Sequence, residues 1–261
     1  MAQTINAAKA RLRKGELALG IGIRLVRNVD IIKIMKAAGF DWLFLDLEHG
    51  SMSIETCCEI SVAAQDSGVA PIVRVPYGQY DMATRALDGG AFGIVIPHVD
   101  TADEARVVAD RLRYPPVGHR SVAGAIPQLG FRPIAAAEAT KLVNDNLLVV
   151  VMLETPTAIA NSDAIAAVPG IDVLLIGTND LCAELGIPGQ FGHAKVEEAY
   201  RAVVAACAKH GKHPGMGGVY EPKLMEKYIG YGMRFILSGG DLGFLMAGAR
   251  ERASLLRGVK L

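Results

Sequence analysis

The chain has 261 residues, 51% of them hydrophobic, and sets 27 Lys and Arg against 27 Asp and Glu. This length suits a single globular domain spanning 1–261 with a closed α/β core, and a net charge near zero gives no general attraction to nucleic acid or to an anionic membrane. No apolar run approaches the ~20 residues that cross a bilayer. The first stretch, Met1–Lys14, resembles an amphipathic helix rather than a signal peptide. Cys57, Cys58, Cys182 and Cys207 lack both metal-type spacing and a disulfide framework, which points to a reduced, cytoplasmic protein.

Along the chain, short apolar runs alternate with longer stretches of helical periodicity. After the opening helix come a strand over Ala18–Ile23 and a helix over Asp30–Ala38, then Trp42–Asp46 with Ile54–Ser67. Ile72–Val75 precedes the helix Gln79–Asp88, and Gly93–Pro97 precedes Ala102–Leu112. A Pro- and Gly-rich insertion, Tyr114–Ala135, follows; loops of this length tend to serve function or an interface. The second half pairs Leu148–Leu153 with Thr157–Ala167 and Val173–Ile176 with Glu197–Lys209. Pro214–Gly217 with Pro222–Ile229, and Phe235–Leu237 with Leu242–Leu256, complete the series. Gly39, Gly68, Gly89-Gly90 and Gly232 stand where helices should stop, because glycine takes the left-handed closing position without steric cost. Eight βα units in this length predict a (β/α)8 TIM barrel. An open doubly wound sheet is the alternative, but Gly20-Ile-Gly22 lacks the third glycine of a dinucleotide-binding turn.

In such a barrel the polar residues that close the strands line one catalytic face. In strand order they are Arg24; Asp46, Glu48 and His49; Arg74; His98; Glu154; Thr178, Asn179 and Asp180; Gly217 and Gly218; Ser238 and Asp241. Glu154 and Asp180, about one βα unit apart, are hard oxygen ligands suited to a divalent cation. An arginine can take the carboxylate or keto oxygen of a small 2-oxo acid, and a histidine supplies acid–base chemistry near neutrality. A cation there would stabilise the enolate formed when a substituent leaves C3. Backbone amides at Asn179 and Asp180, if they open a helix, offer a place for the substrate carboxylate. Structural readings stand beside these. Asp180 or Asp241 can cap a helix, His98 can be a supporting histidine, and Arg24 can pair with Asp46 or Glu48 instead of meeting an acidic substrate tail. No predicted strand end carries a lysine, which disfavours Schiff-base aldol chemistry.

Four segments carry a family resemblance: Phe40–Gly50 (FDWLFLDLEHG), Arg113–Val122 (RYPPVGHRSV), Leu153–Asn161 (LETPTAIAN) and Ile176–Leu181 (IGTNDL). Together they resemble the HpcH/HpaI aldolases, metal-dependent class II pyruvate aldolases, over nearly the whole chain. The resemblance implies a barrel of the phosphoenolpyruvate/pyruvate-binding type that cleaves 4-hydroxy-2-oxo acids to pyruvate, or a close analogue, and an aldehyde, as in catabolism of aromatic compounds or sugar acids. By motif it implies that Glu154 and Asp180 hold Mg²⁺, Mn²⁺ or Co²⁺, that Arg74 holds the keto oxygen, and that His49 is the acid–base residue. Asp46 would support His49 or Arg74, and Asp88 would approach the histidine of a neighbouring subunit. Thr178, Asn179, Asp180 and Gly217 would help hold the substrate. A homo-oligomer is implied as well, a hexamer built as a trimer of dimers that exchange the last helix. Met152, two residues before Glu154, stands where many relatives have glutamine, and Gly177-Thr-Asn-Asp replaces a common Gly-Pro-x-Asp. Oxaloacetate decarboxylation, CoA-ester cleavage or another enolate transfer is the alternative reaction.

Overall fold

The computed structural model describes residues 5–260, so the first four residues of the expected opening helix lie outside the described residues. The elements run α1 (Ala7–Arg13), β1 (Ala18–Ile23), α2 (Ile31–Ala37), β2 (Trp42–Asp46), α3 (Ile54–Ala63), β3 (Ala70–Arg74), α4 (Tyr80–Asp88), β4 (Gly93–Ile96) and α5 (Ala102–Leu112). They continue with α6 (Ala136–Asn146), β5 (Leu148–Leu153), α7 (Pro156–Ala160), α8 (Ser162–Ala166), β6 (Val173–Gly177), α9 (Thr178–Glu184), α10 (Ala194–His210), β7 (His213–Gly217), α11 (Pro222–Tyr231), β8 (Phe235–Gly240) and α12 (Asp241–Arg257). The strands are all parallel and close in sequence order, β8 returning to β1, as a (β/α)8 barrel requires.

Two helices, α6 and α9, arise where the sequence pattern gives no separate helix. α6 is rich in alanine and polar residues and buries only Val143, so its periodicity is faint, and α9 spans just 7 residues. The single helix expected over Thr157–Ala167 is broken at Asn161, whose side-chain amide donates to the Asp100 carbonyl at 2.8 Å. Glycine stops appear where expected, with Gly39 at φ 91° and Gly232 at φ 126°.

Alternation along the strands separates two cores. Leu43, Leu45, Val149, Val151 and Leu153 face the helices, whereas Trp42, Phe44, Ile72, Val150, Met152, Leu175 and Phe235 fill the barrel. Trp42 and Phe235 stack across the interior with centroids 4.0 Å apart. The indole lies where a side chain of residue 20 would be, since a Cβ on Gly20 would come within 2.0 Å of the ring, and its N–H donates to the Ala18 carbonyl at 3.1 Å. α1 plugs the N-terminal end with Ala8 and Leu12. There Lys9 Nζ reaches the Leu147 carbonyl at 2.6 Å and Asp172 Oδ1 at 3.1 Å. Arg113 also bonds Asp172, and the Val149 N–H donates to it at 2.7 Å.

Candidate active site

Continuing each inward series by two residues leads from the apolar floor to the polar mouth. Phe44 leads to Asp46, Ile72 to Arg74, Met152 to Glu154, Leu175 to Gly177 and Gly22 to Arg24. The strand register therefore places these five positions in one layer.

Asp46 is fully buried and organises the layer. Arg74 grips it with two bonds, Nε to Oδ1 at 3.0 Å and Nη2 to Oδ2 at 2.7 Å. Arg24 Nε adds a third at 2.8 Å, and the N–H groups of Glu48 and His49 donate to Oδ1 at 3.1 and 3.2 Å. Burial, the largest single influence, acts to raise the Asp46 pKa, but the bonds and charge of Arg74, the His49 N–H and Arg24 together hold the carboxyl below its ordinary range. Asp46 is thus an anchor that keeps the Arg74 fork flat, with the guanidinium 5.0 Å above the Phe44 ring and Nη1 4.0 Å from Met152 Sδ. The second acid of the motif, Glu48, brings Oε2 to 3.1 Å from Arg74 Nη1 without hydrogen-bond geometry. His49 is exposed at the rim, Nε2 3.8 Å from Glu48 Oε2.

Glu154 is 1% exposed. The backbone N–H of His98 donates to its Oε2 at 2.9 Å, and His98 Nδ1 lies 3.2 Å from the same atom. His98 reaches this position in a left-handed conformation, φ 53°. Burial pushes the Glu154 carboxyl up to about 7; the His98 N–H and ring counter this, and the Asp180 charge adds to it. Gly177 makes room for this carboxylate, since a Cβ there would sit 2.5 Å from Oε1. Two acids in electrostatic contact, one of them buried and short of positive partners, are a donor set that fits a hard divalent cation. The described residues contain no group of three or more His, Cys, Asp or Glu arranged to hold a metal.

Asp180 lies in the first turn of α9 but does not cap it; the cap position is Gly177, and no side chain bonds the free amides there. The Thr178 hydroxyl is buried and bonds Tyr200 Oη and the Gly217 carbonyl, both at 2.7 Å, which ties the start of α9 to α10 and β7. Asn179 is exposed beside Gly218, which takes φ 89° and leaves no space for a side chain of its own. Asp88 ends α4 and pairs with the buried Arg120 of the long insertion, so within one chain it stays apart from His49. Asp241 accepts the N–H groups of Arg24, Leu25 and Val26 and fixes the β1 loop. Sequence reasoning missed Gly177 and the His98 N–H. The inward alternation pointed to Gly177, but nothing in the sequence signals the turn at His98.

A cavity of about 400 Å³ opens on the Arg24 side of this layer, lined among others by Arg24, Phe44, Asn179, Tyr220, Leu237 and Asp241.

The model of the HpcH/HpaI aldolase/citrate lyase family matches residues 25–246. A 4-hydroxy-4-methyl-2-oxoglutarate aldolase of Hapsidospora irregularis is 41% identical over 98% of this chain and 96% of its own. A 5-keto-4-deoxy-D-glucarate aldolase of Klebsiella pneumoniae is 32% identical over 97% of each chain. The crystal structure of an HpcH/HpaI aldolase from Desulfitobacterium hafniense superposes with a TM-score of 0.91 at 30% identity, covering 97% of both chains. The chain belongs to the HpcH/HpaI aldolase/citrate lyase family. It is an enzyme, a carbon–carbon lyase of the aldolase class. No helix among the described residues is long and apolar enough to cross a membrane.

Proposed function

We propose that the chain is a divalent-metal-dependent class II aldolase that cleaves 4-hydroxy-2-oxo acids to pyruvate, or a close analogue, and a carbonyl compound. The observation that carries this is the Asp46-clamped Arg74 in the same layer as the buried, partner-poor Glu154. Glu154 and Asp180 hold the cation, Mg²⁺, Mn²⁺ or Co²⁺, which supplies Lewis-acid stabilisation of negative charge at the 2-oxo oxygen. Arg74, unable to turn away from its carboxylate anchor, directs its charge at that oxygen. The free first-turn amides of α9 receive the substrate carboxylate. His49 at the rim takes the C4 hydroxyl proton, the C3–C4 electron pair passes into the enolate, and C3 is reprotonated. The apolar face of α12, with Phe244, Leu245 and Leu256 exposed, supports a homo-oligomer in which this helix packs on another copy. The free cysteines support a cytoplasmic location.

The test is pyruvate release from a panel of 4-hydroxy-2-oxo acids, run with and without EDTA and with each metal restored. Metal-dependent release that disappears in Glu154→Ala and Asp180→Ala is the expected result; full activity in the presence of chelator, or in either variant, overturns it. Oxaloacetate and a malyl-CoA in the same panel separate decarboxylation and CoA-ester cleavage from the aldol reaction.

A further inference from the structure

The turn after β4 is a strained feature of the mouth that the reaction above does not explain. His98 holds φ 53°, a left-handed conformation that a residue with a side chain keeps only when its surroundings impose it. Its N–H supplies the one hydrogen bond that the Glu154 carboxylate has among the described residues, 2.9 Å to Oε2, and Oε1 accepts none. The His98 ring adds no second bond; it is exposed, with Nδ1 3.2 Å from Oε2 but without hydrogen-bond geometry.

Asp100, two residues further on, is where this turn is tied down. Its Oδ1 accepts the Thr155 hydroxyl at 2.7 Å, and its carbonyl accepts the Asn161 amide at 2.8 Å. Its own N–H and that of Thr101 donate to Glu104 Oε2 at 2.8 and 2.9 Å. Between His98 and Asp100, the Val99 N–H donates to the Met152 carbonyl at 3.1 Å. Met152 and Thr155 stand before and after Glu154 in the chain, so the turn is fastened to β5 on both sides of the carboxylate it serves. Thr155 is itself fixed, because its Oγ1 caps α7 by accepting the Ala158 N–H at 3.0 Å. Capping of α5 does not account for the Asp100 carboxylate, since Thr101 and Glu104 already form that capping box. The Asp100–Thr155 bond is the tie made by two side chains, so substitution can remove it and leave the backbone bonds in place.

We propose that Asp100 is a positioning residue of the metal site. By bonding the Thr155 hydroxyl it holds the His98 turn in its strained form, keeps the His98 N–H on Glu154 Oε2, and leaves Oε1 for the cation. This rests on the metal-dependent reading above. No step of the reaction passes through Asp100; what it sets is the affinity for the cation.

The experiment titrates the metal-free full chain with Mn²⁺, reading the free ion by EPR, and records thermal unfolding in EDTA beside it. Asp100→Ala should raise the Mn²⁺ Kd about ten- to a hundredfold, the usual effect of losing an outer hydrogen-bond partner of a metal ligand. Asp100→Asn removes the same charge but keeps an oxygen for the Thr155 hydroxyl, so its Kd should stay close to that of wild type. His98→Gly allows φ 53° without strain, so Asp100→Ala added to it should weaken binding by a smaller factor than in wild type. An unchanged Kd in Asp100→Ala with a lower Tm overturns the proposal and makes the bond purely structural. Equal losses in Asp100→Ala and Asp100→Asn overturn it in favour of the Asp100 charge acting on the cation from a distance. Losses that multiply fully with His98→Gly overturn the route through the turn. If wild type takes up no Mn²⁺, the metal-dependent reading falls and this role falls with it; uptake by wild type that no Asp100 variant alters rejects the Asp100 role alone.

Discussion

A carboxylate stands at each end of the barrel, Asp172 half-buried and Glu154 buried, and the two are treated in opposite ways. At the N-terminal end Asp172 receives Lys9, Arg113 and the Val149 N–H, and α1 covers the group. At the C-terminal end Glu154 is more deeply buried yet receives only the His98 N–H and ring, and it faces a second acid. The first arrangement spends its charges on closing the barrel. The second leaves a carboxylate short of positive charge at the mouth, which is how a fold stores affinity for a cation and for the reaction that cation promotes.

The largest expected effect is at the unsatisfied end. Glu154→Gln should cut pyruvate release by about a thousandfold, while thermal unfolding in EDTA shows an unchanged or higher Tm, because a neutral amide can still accept the His98 N–H. A marked fall in Tm would show that Glu154 is structural and remove the contrast. At the satisfied end Asp172→Asn should do the reverse. Leaving Lys9 and Arg113 with a neutral partner costs about 3 kcal/mol, or about 6–12 °C in Tm for a chain of this size, with kcat of the folded enzyme little changed. Gly177→Ala comes third. Its Cβ would meet Glu154 Oε1 at 2.5 Å and Cγ at 2.6 Å, so activity should drop about ten- to a hundredfold by displacing the carboxylate, with a loss of about 1–3 kcal/mol from overpacking a buried side chain.

The last effect is a pH dependence of the metal-free protein, which leaves activity with saturating metal untouched. The Glu154 carboxyl is raised from 4.5 to about 7 on folding, so between those values the folded state holds a proton that the unfolded chain has released. Stability should therefore fall as pH rises through that window and level off above it. Saturating divalent metal should flatten this slope, and urea unfolding from pH 4.5 to 8 reads it directly. A slope of the opposite sign would mean that Glu154 gains positive partners on folding.

Most of the barrel was legible because inward and outward residues alternate along Trp42–Asp46 and Leu148–Leu153, and both strands keep the limits that the sequence indicates. The placement of Arg74 and Glu154 at strand ends was legible from the apolar runs that precede them. What escaped depends on register and turns, which no local pattern encodes. Gly177 matters only because β6 aligns with β5 so as to bring it beside Glu154. Thr178 looked like a mouth residue, yet its hydroxyl turns inward to Tyr200, a residue 22 positions away. Asp241 carried the same ambiguity, and long-range bonds to the β1 loop decided it.

The Trp42–Phe235 stack has a consequence for traffic. With two rings lying flat across the interior and α1 at the far end, the described residues leave the C-terminal mouth as the way in. Whatever enters over Arg24 and Tyr220 must leave the same way. In the proposed cleavage the fragment nearest the doorway departs first, while pyruvate, seated against the closed floor, waits behind it.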